Sequence, residues 1–462
     1  LVEISQFYGK DKQYVIAGGG NTSMKTSDRI WIKASGFALS DISEDGFAML
    51  DRTMLKRISS AEYSSDPFQR EREIKDDLAA ANLTPDRRPS VETSLHDLIE
   101  YRFVVHLHPT LVNGLMCGMD VVDHVSALFG EDILYIPYTD PGYILFKEVE
   151  KKLQEYREKA GKDPAIILLQ NHGIFVSAET TTEIQSIYKD VFHALGSAIK
   201  QEIPEEDVPV GDTVTDILPA LRMILSKEKS KILRVRTNLL VEHFAASAAH
   251  FQKISKPFSP DIIVYCKSNY IYYEANGSPG EILENLQTRI EVFEKEFGYA
   301  PKVILIKGLG LVAVGENAAG ADTILDVFED MMKISWLSES FGGQHFMSPE
   351  HIRFIDTWEV ENYRRKAAAG ESGRGKAEHK TIIVTGAALG FGAGIARGLF
   401  EEGANIVIAD INEEAGKSFR ETLEKGKRKN QAIYVKTDVS DPNSLQALMK
   451  ETVQAFGGLD VF

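Results

Sequence analysis

Cysteine is nearly absent from this chain, with Cys117 and Cys266 the only two in 462 residues. One pair excludes a disulfide framework and any thiolate-built zinc site. It suits a reducing compartment, for which the cytoplasm is expected. Long apolar runs are lacking too. No stretch of 18 apolar residues occurs and no charged-then-apolar leader opens the sequence, so the chain is expected neither to span nor to leave through a membrane. Basic charge is in deficit: 52 Lys+Arg against 68 Asp+Glu give a net charge of −16. Nucleic acid and anionic membranes are thereby excluded as general partners, while a local pocket for a phosphate is still allowed.

What is present has the balance of a globular enzyme. An apolar fraction of 43% and a charged fraction of 26% rule out collagen-like and wholly disordered chains. The length predicts about three domains. The sequence begins at Leu1 and stops at Gly458-Leu459-Asp460-Val461-Phe462, which reads as a strand just begun, so it is expected to be most of a longer protein.

Composition divides the chain. Residues 1–203 hold most of the histidines and Gly-rich turns, and an acidic hinge, Pro204-Glu205-Glu206-Asp207-Val208-Pro209, closes them off. A second globular stretch covers 210–363. Residues 364–380, with almost nothing apolar larger than Ala, read as a flexible linker. The β-branched run Thr381-Ile382-Ile383-Val384-Thr385-Gly386 then opens a third region, 381–462, as a buried parallel strand. The first two regions share a pattern: PAIILLQNHGIFVSAE at 164–179 and PKVILIKGLGLVAVGE at 301–316 each give Pro, strand, Gly turn, strand and Glu. Each precedes a helical segment containing Asp-Val-Phe. This predicts an internal repeat in which Leu309 stands where the first copy has His172.

Chemistry concentrates in the first region. Arg102–Pro109 reads as a short strand, and its period of two places His106 and His108 on one face. Two imidazoles so placed suit a divalent metal, although His-x-His also occurs as a plain hydrogen-bonded pair. His172, at a Gly-assisted turn, can be aimed at the same point. Glu92 precedes an amphipathic helix and is free to act as ligand or base, whereas His96, on that helix, reads as packing or support. Gly18-Gly19-Gly20-Asn21-Thr22-Ser23-Met24-Lys25 has the composition of an anion cradle or of a hairpin turn. Lys33-Ala34-Ser35-Gly36 adds a second Gly-containing turn after the strand Ile30-Trp31-Ile32.

Residues 385–392 (TGAALGFG) follow a predicted strand and open a helix. Ile395 stands at the third glycine of G-x-G-x-x-G, so that motif is not met. The spacing T-G-x-x-x-G-x-G, characteristic of short-chain dehydrogenases, is met by Thr385, Gly386, Gly390 and Gly392. Asp410 ends the next strand, where an acid suits ribose hydroxyls and favours NAD over NADP. Asp438, in Thr437-Asp438-Val439, resembles the adenine-contacting turn of that family. The family's catalytic Ser and Tyr-x-x-x-Lys do not follow within the chain. Tyr143 and Lys147 match the latter spacing but lie in the first region and are rejected. A half-sheet of this kind is expected to expose an apolar edge, and so to be poorly ordered or completed by other residues.

Taken in order, Gly20-Asn21-Thr22-Ser23, Ser35-Gly36, Ser90-Val91-Glu92, His106-x-His108-Pro109 and Asn171-His172-Gly173 resemble the class II (metal-dependent) aldolase/adducin family over roughly residues 10–200. The arrangement most resembles bifunctional rhamnulose-1-phosphate aldolase/alcohol dehydrogenases. The resemblance implies an α/β fold: a class II aldolase-like α/β/α domain, a second related metal-less α/β domain, and the first half of a Rossmann-type doubly wound parallel sheet. It implies Zn²⁺ or another divalent metal on His106, His108 and His172, with Glu92 as acid/base. Asn21, Ser35, Gly36 and Ser90 would hold a substrate phosphate. Val91 departs from the second Ser of many members, which removes one hydroxyl donor. The implied reaction is retro-aldol cleavage of a (deoxy-)ketose 1-phosphate such as rhamnulose 1-phosphate to dihydroxyacetone phosphate and lactaldehyde, coupled in the full-length protein to an NAD-dependent step. A sugar-phosphate 4-epimerase and a non-catalytic adducin-like scaffold are the alternatives. A small-molecule sugar phosphate is the expected partner, and the family's habit of building sites between subunits predicts a homo-oligomer.

Overall fold

The computed structural model describes residues 1–357, 375–426 and 428–462, and the chain forms two compact units. The first contains residues 1–203, 256–264 and, among the described residues, 330–357; the second contains 204–255, 265–329 and the described residues from 375 onward. Among the described residues no helix is long and apolar enough to cross a membrane.

The first unit is built on a seven-stranded mixed sheet. Its strands are β1 (Asn21–Lys25), β2 (Arg29–Lys33), β3 (Phe47–Asp51), β4 (Phe103–Leu107), β5 (Leu134–Ile136), β6 (Ile166–Leu169) and β7 (Gly173–Ala178), in the order β3-β2-β1-β4-β7-β6-β5. Only β5 and β6 pair in parallel; the other neighbours are antiparallel. Side chains alternate across it. Ile30, Ile32, Val104 and Phe175 join one apolar cluster with Leu95, Leu145 and Val149 from helices. Val105, Leu107, Ile174 and Val176 join another with Ile184, Tyr188 and Val191. Helices thus cover both faces, giving the α/β/α arrangement.

In the second unit, β8 (Ile232–Arg236), β9 (Ile271–Glu274), β10 (Val303–Lys307) and β11 (Gly310–Gly315) form a sheet in the order β8-β11-β10-β9. Its register repeats that of β4-β7-β6-β5. Ile166 faces Val176 and Val303 faces Ala313, where 303−166 and 313−176 both equal 137. Leu134 pairs with Ile167 and Ile271 with Ile304, where 271−134 and 304−167 again equal 137. A third sheet has β12 (Thr381–Thr385), β13 (Asn405–Asp410) and β14 (Ala432–Lys436), all parallel. Val461 adds one parallel bridge to Ile382 on the open side of β12.

The division of the chain differs from the expected one in two places. Residues 256–264 and 330–357 pack with the first unit and not with the middle region where composition placed them. They return through tertiary contacts, such as Phe341 entering the core beside Leu115 and Val121, that no local pattern encodes. The linker expected at 364–380 lies partly outside the described residues. Its end does not dangle, because the backbone N–H groups of Lys376 and Ala377 bond Glu402. One face of the dehydrogenase-like sheet is covered from within the chain, where Ile383, Val407, Ala409 and Val435 pack with Ile232, Ala318 and Ala321. Among the described residues β14 stays an edge strand.

Candidate metal centre

β4 brings His106 to the middle of the first sheet, where it is fully buried. Its Nδ1 lies 3.0 Å from the carbonyl oxygen of Ile174 on β7. A carbonyl only accepts, so Nδ1 carries the proton and Nε2 presents its lone pair. His108, just past the strand, has Nε2 2.9 Å from that of His106. His172 comes from the β6–β7 turn, in which Asn171 takes the left-handed conformation at φ 53°. The Asn171 side chain holds that turn by donating to the carbonyls of Phe258 and His345, at 2.9 and 2.8 Å. The ligand atoms of His106, His108 and His172 all lie within 4.8 Å of one another.

Two glycines make the convergence possible. A Cβ on Gly173 would sit 2.4 Å from the Leu107 carbonyl oxygen and 2.7 Å from a ring carbon of His108. A Cβ on Gly20 would sit 2.8 Å from the His106 carbonyl oxygen, and its φ of +71° suits glycine in any case. The chain therefore closes tightly on the histidines from both neighbouring strands.

Glu92 caps the cluster from the start of the helix Thr93–Leu98. Its Oε1 is 3.3 Å from Nε2 of His106 and 3.5 Å from Nε2 of His172. Burial raises its pKa, but the imidazoles beside it, His106 foremost, hold it well below the ordinary carboxylate range. His172 is driven the other way, down to about 3, by burial and then by His108. Three imidazoles able to present lone pairs and one carboxylate fit a divalent cation. Nitrogen ligands around a tetrahedral zinc lie roughly 3.4 Å apart, a value between the 2.9 Å that separates His106 from His108 and the 4.8 Å within which all three ligand atoms fall. His96 is buried behind the centre with Nδ1 2.8 Å from Ser23 Oγ and its ring edge-on to Phe175, so it packs.

Of the residues expected to hold phosphate, Asn21 and Ser90 touch Glu92, and Ser35 meets Pro89. Asn21 Nδ2 donates to Glu92 Oε2 at 2.5 Å and to Ser90 Oγ at 3.3 Å, so its donor end is already engaged. That contact fixes the direction of the Glu92 carboxylate. Ser90 Oγ accepts from Asn21 and from the Glu92 backbone at 3.2 Å, which leaves its own proton to donate. Ser35 Oγ reaches the Pro89 carbonyl at 3.3 Å, and Gly36, at φ +94°, opens onto free space. The anion-cradle stretch also divides. Gly18–Gly20 is a turn, but Asn21–Lys25 is β1, and the Lys25 ammonium is buried against the carbonyls of His96 and Ile99. Sequence reasoning missed Asp261, whose Oδ2 lies 2.6 Å from His108 Nδ1 across 153 residues; no local signal marks it.

In the second unit, Gly386 and Gly390 take positive φ between Thr385 and the helix Gly390–Glu401, whose first turn has no side-chain cap. A Cβ on Gly392 would lie 2.1 Å from the Gly386 carbonyl oxygen, so the turn demands glycine there. Uncapped N–H groups at a helix start suit a pyrophosphate. Asp410 ends β13, its two oxygens accepting the backbone N–H groups of Ala388 and Asn412 at 2.9 Å each. Asp438 accepts from the N–H and hydroxyl of Ser440, at 2.9 and 2.6 Å, and shapes its own turn.

Comparison with known proteins follows the same division. Residues 1–186 match the Class II Aldolase and Adducin N-terminal domain, and residues 380–462 match the short chain dehydrogenase family. An uncharacterized oxidoreductase of Bacillus subtilis is 24% identical over the whole of this chain and 71% of its own length. An uncharacterized oxidoreductase of Thermotoga maritima (44% identical) and the L-fucose dehydrogenase of Oryctolagus cuniculus (40%) match 18% of this chain each. The chain spans 32% and 26% of their lengths. Among solved structures, an N-terminal class II aldolase domain from Thermoplasma acidophilum is 27% identical. It covers 42% of this chain and 90% of its own, with a TM-score of 0.37. A short-chain dehydrogenase from Burkholderia phymatum in complex with NAD is 34% identical over 18% of this chain and 29% of its own, with a TM-score of 0.17.

Proposed function

This chain joins a class II aldolase/adducin domain to a short-chain dehydrogenase segment, and from that premise we propose that the first unit cleaves a phosphorylated ketose by a metal-dependent retro-aldol reaction. The dehydrogenase, in the full-length protein, then acts on the aldehyde with NAD. The observation that carries the reading is the convergence of His106, His108 and His172 on the buried carboxylate of Glu92. A divalent cation, zinc above all, held by those imidazoles would polarise the carbonyl and hydroxyl oxygens of the ketose.

The chain's own groups do the rest. Glu92, ionised at neutral pH and steered by Asn21, exchanges a proton with the carbon freed by C3–C4 cleavage. The Ser90 hydroxyl, the Gly36 N–H and Ser35 hold the substrate phosphate at the other end. Without a second serine at Val91, that grip lacks a hydroxyl worth about 1 kcal/mol or more to a charged acceptor. A deoxy-ketose 1-phosphate such as rhamnulose 1-phosphate would give dihydroxyacetone phosphate and lactaldehyde. Asp410 takes the ribose hydroxyls of NAD, the glycines 386–392 its pyrophosphate, and the Asp438 turn its adenine.

The middle region we read as a copy of the first domain without ligands. Val312 faces Val235 as Phe175 faces His106, and 312−175 is the same 137 that relates Leu309 to His172. Val235 and, two residues on, Thr237 therefore stand at the places of His106 and His108. Its role is to carry the dehydrogenase sheet through Ile232, Ala318 and Ala321.

Incubating the full-length protein with ketose 1-phosphates and zinc tests the reading. Released aldehyde is expected, and an isomeric sugar without aldehyde would mark a 4-epimerase instead. His106→Ala is expected to lose metal and cleavage together; stoichiometric zinc in that variant would overturn the ligand assignment. Wild-type protein that binds no divalent metal would favour the scaffold.

A further inference from the structure

His106 and His108 present their Nε2 atoms to the same point, yet their outer nitrogens are held differently. His106 Nδ1 meets a neutral backbone carbonyl, that of Ile174. His108 Nδ1 meets a carboxylate oxygen, Asp261 Oδ2, at 2.6 Å. Both side chains are largely buried, with exposures of 16% and 18%. Asp261 belongs to the helix Pro260–Cys266 and to the stretch 256–264 that joins the first unit. The chain makes room for the pair: a Cβ on Gly19 would lie 3.1 Å from Asp261 Oδ2 and 3.5 Å from His108 Nδ1. The triple-glycine turn thus lies directly against this contact.

A carboxylate on the outer nitrogen of an imidazole fixes three things at once. It keeps the proton on Nδ1, orients the ring, and makes Nε2 a stronger donor. It also adds charge. With Glu92, Asp261 brings two carboxylates to three imidazoles, which balances a dication. His108 lies past the end of β4, whereas His106 is paired within the ladder to β7, so the carboxylate adds to the hold on His108.

We propose that Asp261 is the positioning residue for His108 and sets the affinity of the His106–His108–His172 centre for its divalent cation. The proposal rests on the metal reading above. Metal-stripped wild type, Asp261→Ala, Asp261→Asn and Asp261→Glu would be titrated with zinc in competition with a chromophoric chelator. Asp261→Ala and Asp261→Asn are expected to weaken binding about 10- to 100-fold, with Asp261→Glu restoring most of it. Nitrogen-15 spectra of the stripped protein should show the Nδ1-protonated His108 form in wild type and a mixture of tautomers in Asp261→Ala, a change that general loosening would not confine to one ring. Asp261→Asn keeps shape and volume, so it decides the matter should Asp261→Ala fold poorly. Equal zinc affinity in wild type and Asp261→Asn, with an unchanged His108 tautomer, would overturn the proposal and leave the metal reading standing. Wild type that takes up no divalent cation would overturn both.

Discussion

At the scale of single residues, Glu92 and Lys25 are two buried ionisable groups with opposite tasks. Glu92 is kept charged among imidazoles. Replacing it by Gln keeps three nitrogen ligands, so zinc content is expected to persist while cleavage falls about 10²- to 10⁴-fold, the usual range for a lost acid/base. Metal analysis beside initial rates checks the split. Lys25 is pushed down to about 7 by burial, with Asp97 acting against the shift and Arg52 with it. In the unfolded chain it titrates near 10.5, so between roughly pH 7 and 10.5 the unfolded state binds the additional proton and stability rises with pH. Lys25→Met removes that dependence. Denaturation at pH 7 and pH 9 should show wild type gaining up to about 1.4 kcal/mol per pH unit more than the variant; parallel profiles would refute it. The histidines were legible in the sequence, because a strand's period of two puts His106 and His108 on one side and glycine marks the turn at His172. Asn21 was legible as a polar group of the site, but its 2.5 Å contact with Glu92 was not, since residues 21 and 92 meet only in the tertiary fold. Asp261 was not legible at all, because only the tertiary fold brings residue 261 to residue 108.

At the scale of elements, the two hairpins explain what the repeat preserves. His172 and Leu309 occupy the same place, and both backbones bond back three residues, to Leu169 and Ile306. The residue after each is glycine for the same reason. A Cβ on Gly173 would lie 2.4 Å from the Leu107 carbonyl, and one on Gly310 would lie 2.7 Å from that of Arg236. The fold demands the glycine, whereas the chemistry alone demanded the histidine, so only the glycine stands in both copies. Backbone on backbone leaves little to yield. Gly173→Ala and Gly310→Ala should therefore each destabilise by about 1–3 kcal/mol, read as a lower urea midpoint. Zinc distinguishes them: Gly173→Ala is expected to weaken metal binding, since its Cβ also meets the His108 ring, and Gly310→Ala to leave it intact. This pattern could be read in advance because strand, turn and strand are local. The order β8-β11-β10-β9 could not, since it depends on which distant strand pairs with each hairpin.

At the scale of the whole molecule, the middle region and the dehydrogenase segment share one compact unit, although composition separated them with a linker. A linker was a fair reading of small and polar residues; the contacts that override it lie far away in sequence. The most buried polar one is Arg222, 6% exposed, from the helix Asp212–Leu225. Its Nη2 meets Asp460 Oδ2 at 2.8 Å and its Nε donates to the Lys231 carbonyl at 2.6 Å. Asp460 in turn accepts the N–H of Thr381 at 2.8 Å, where β12 begins. Arg222 is buried, while Asp460 is partly exposed and also lies 3.9 Å from Lys380 Nζ. Losing the guanidinium therefore costs about 1.5–3 kcal/mol, the range of a charge-assisted hydrogen bond. Arg222→Ala should thus free Thr381–Asp410 to early proteolysis and lower the unfolding midpoint of the second unit. In the Arg222→Ala, Asp460→Ala double variant the two losses should not add, because both substitutions remove the same contact. Zinc uptake by the first unit should be unchanged, since its ligands and their supports, Ile174, Asn21 and Asp261, all belong to that unit. A dehydrogenase segment equally resistant to protease in wild type and Arg222→Ala would show that apolar packing around Ile383 and Val407 suffices to hold the sheet.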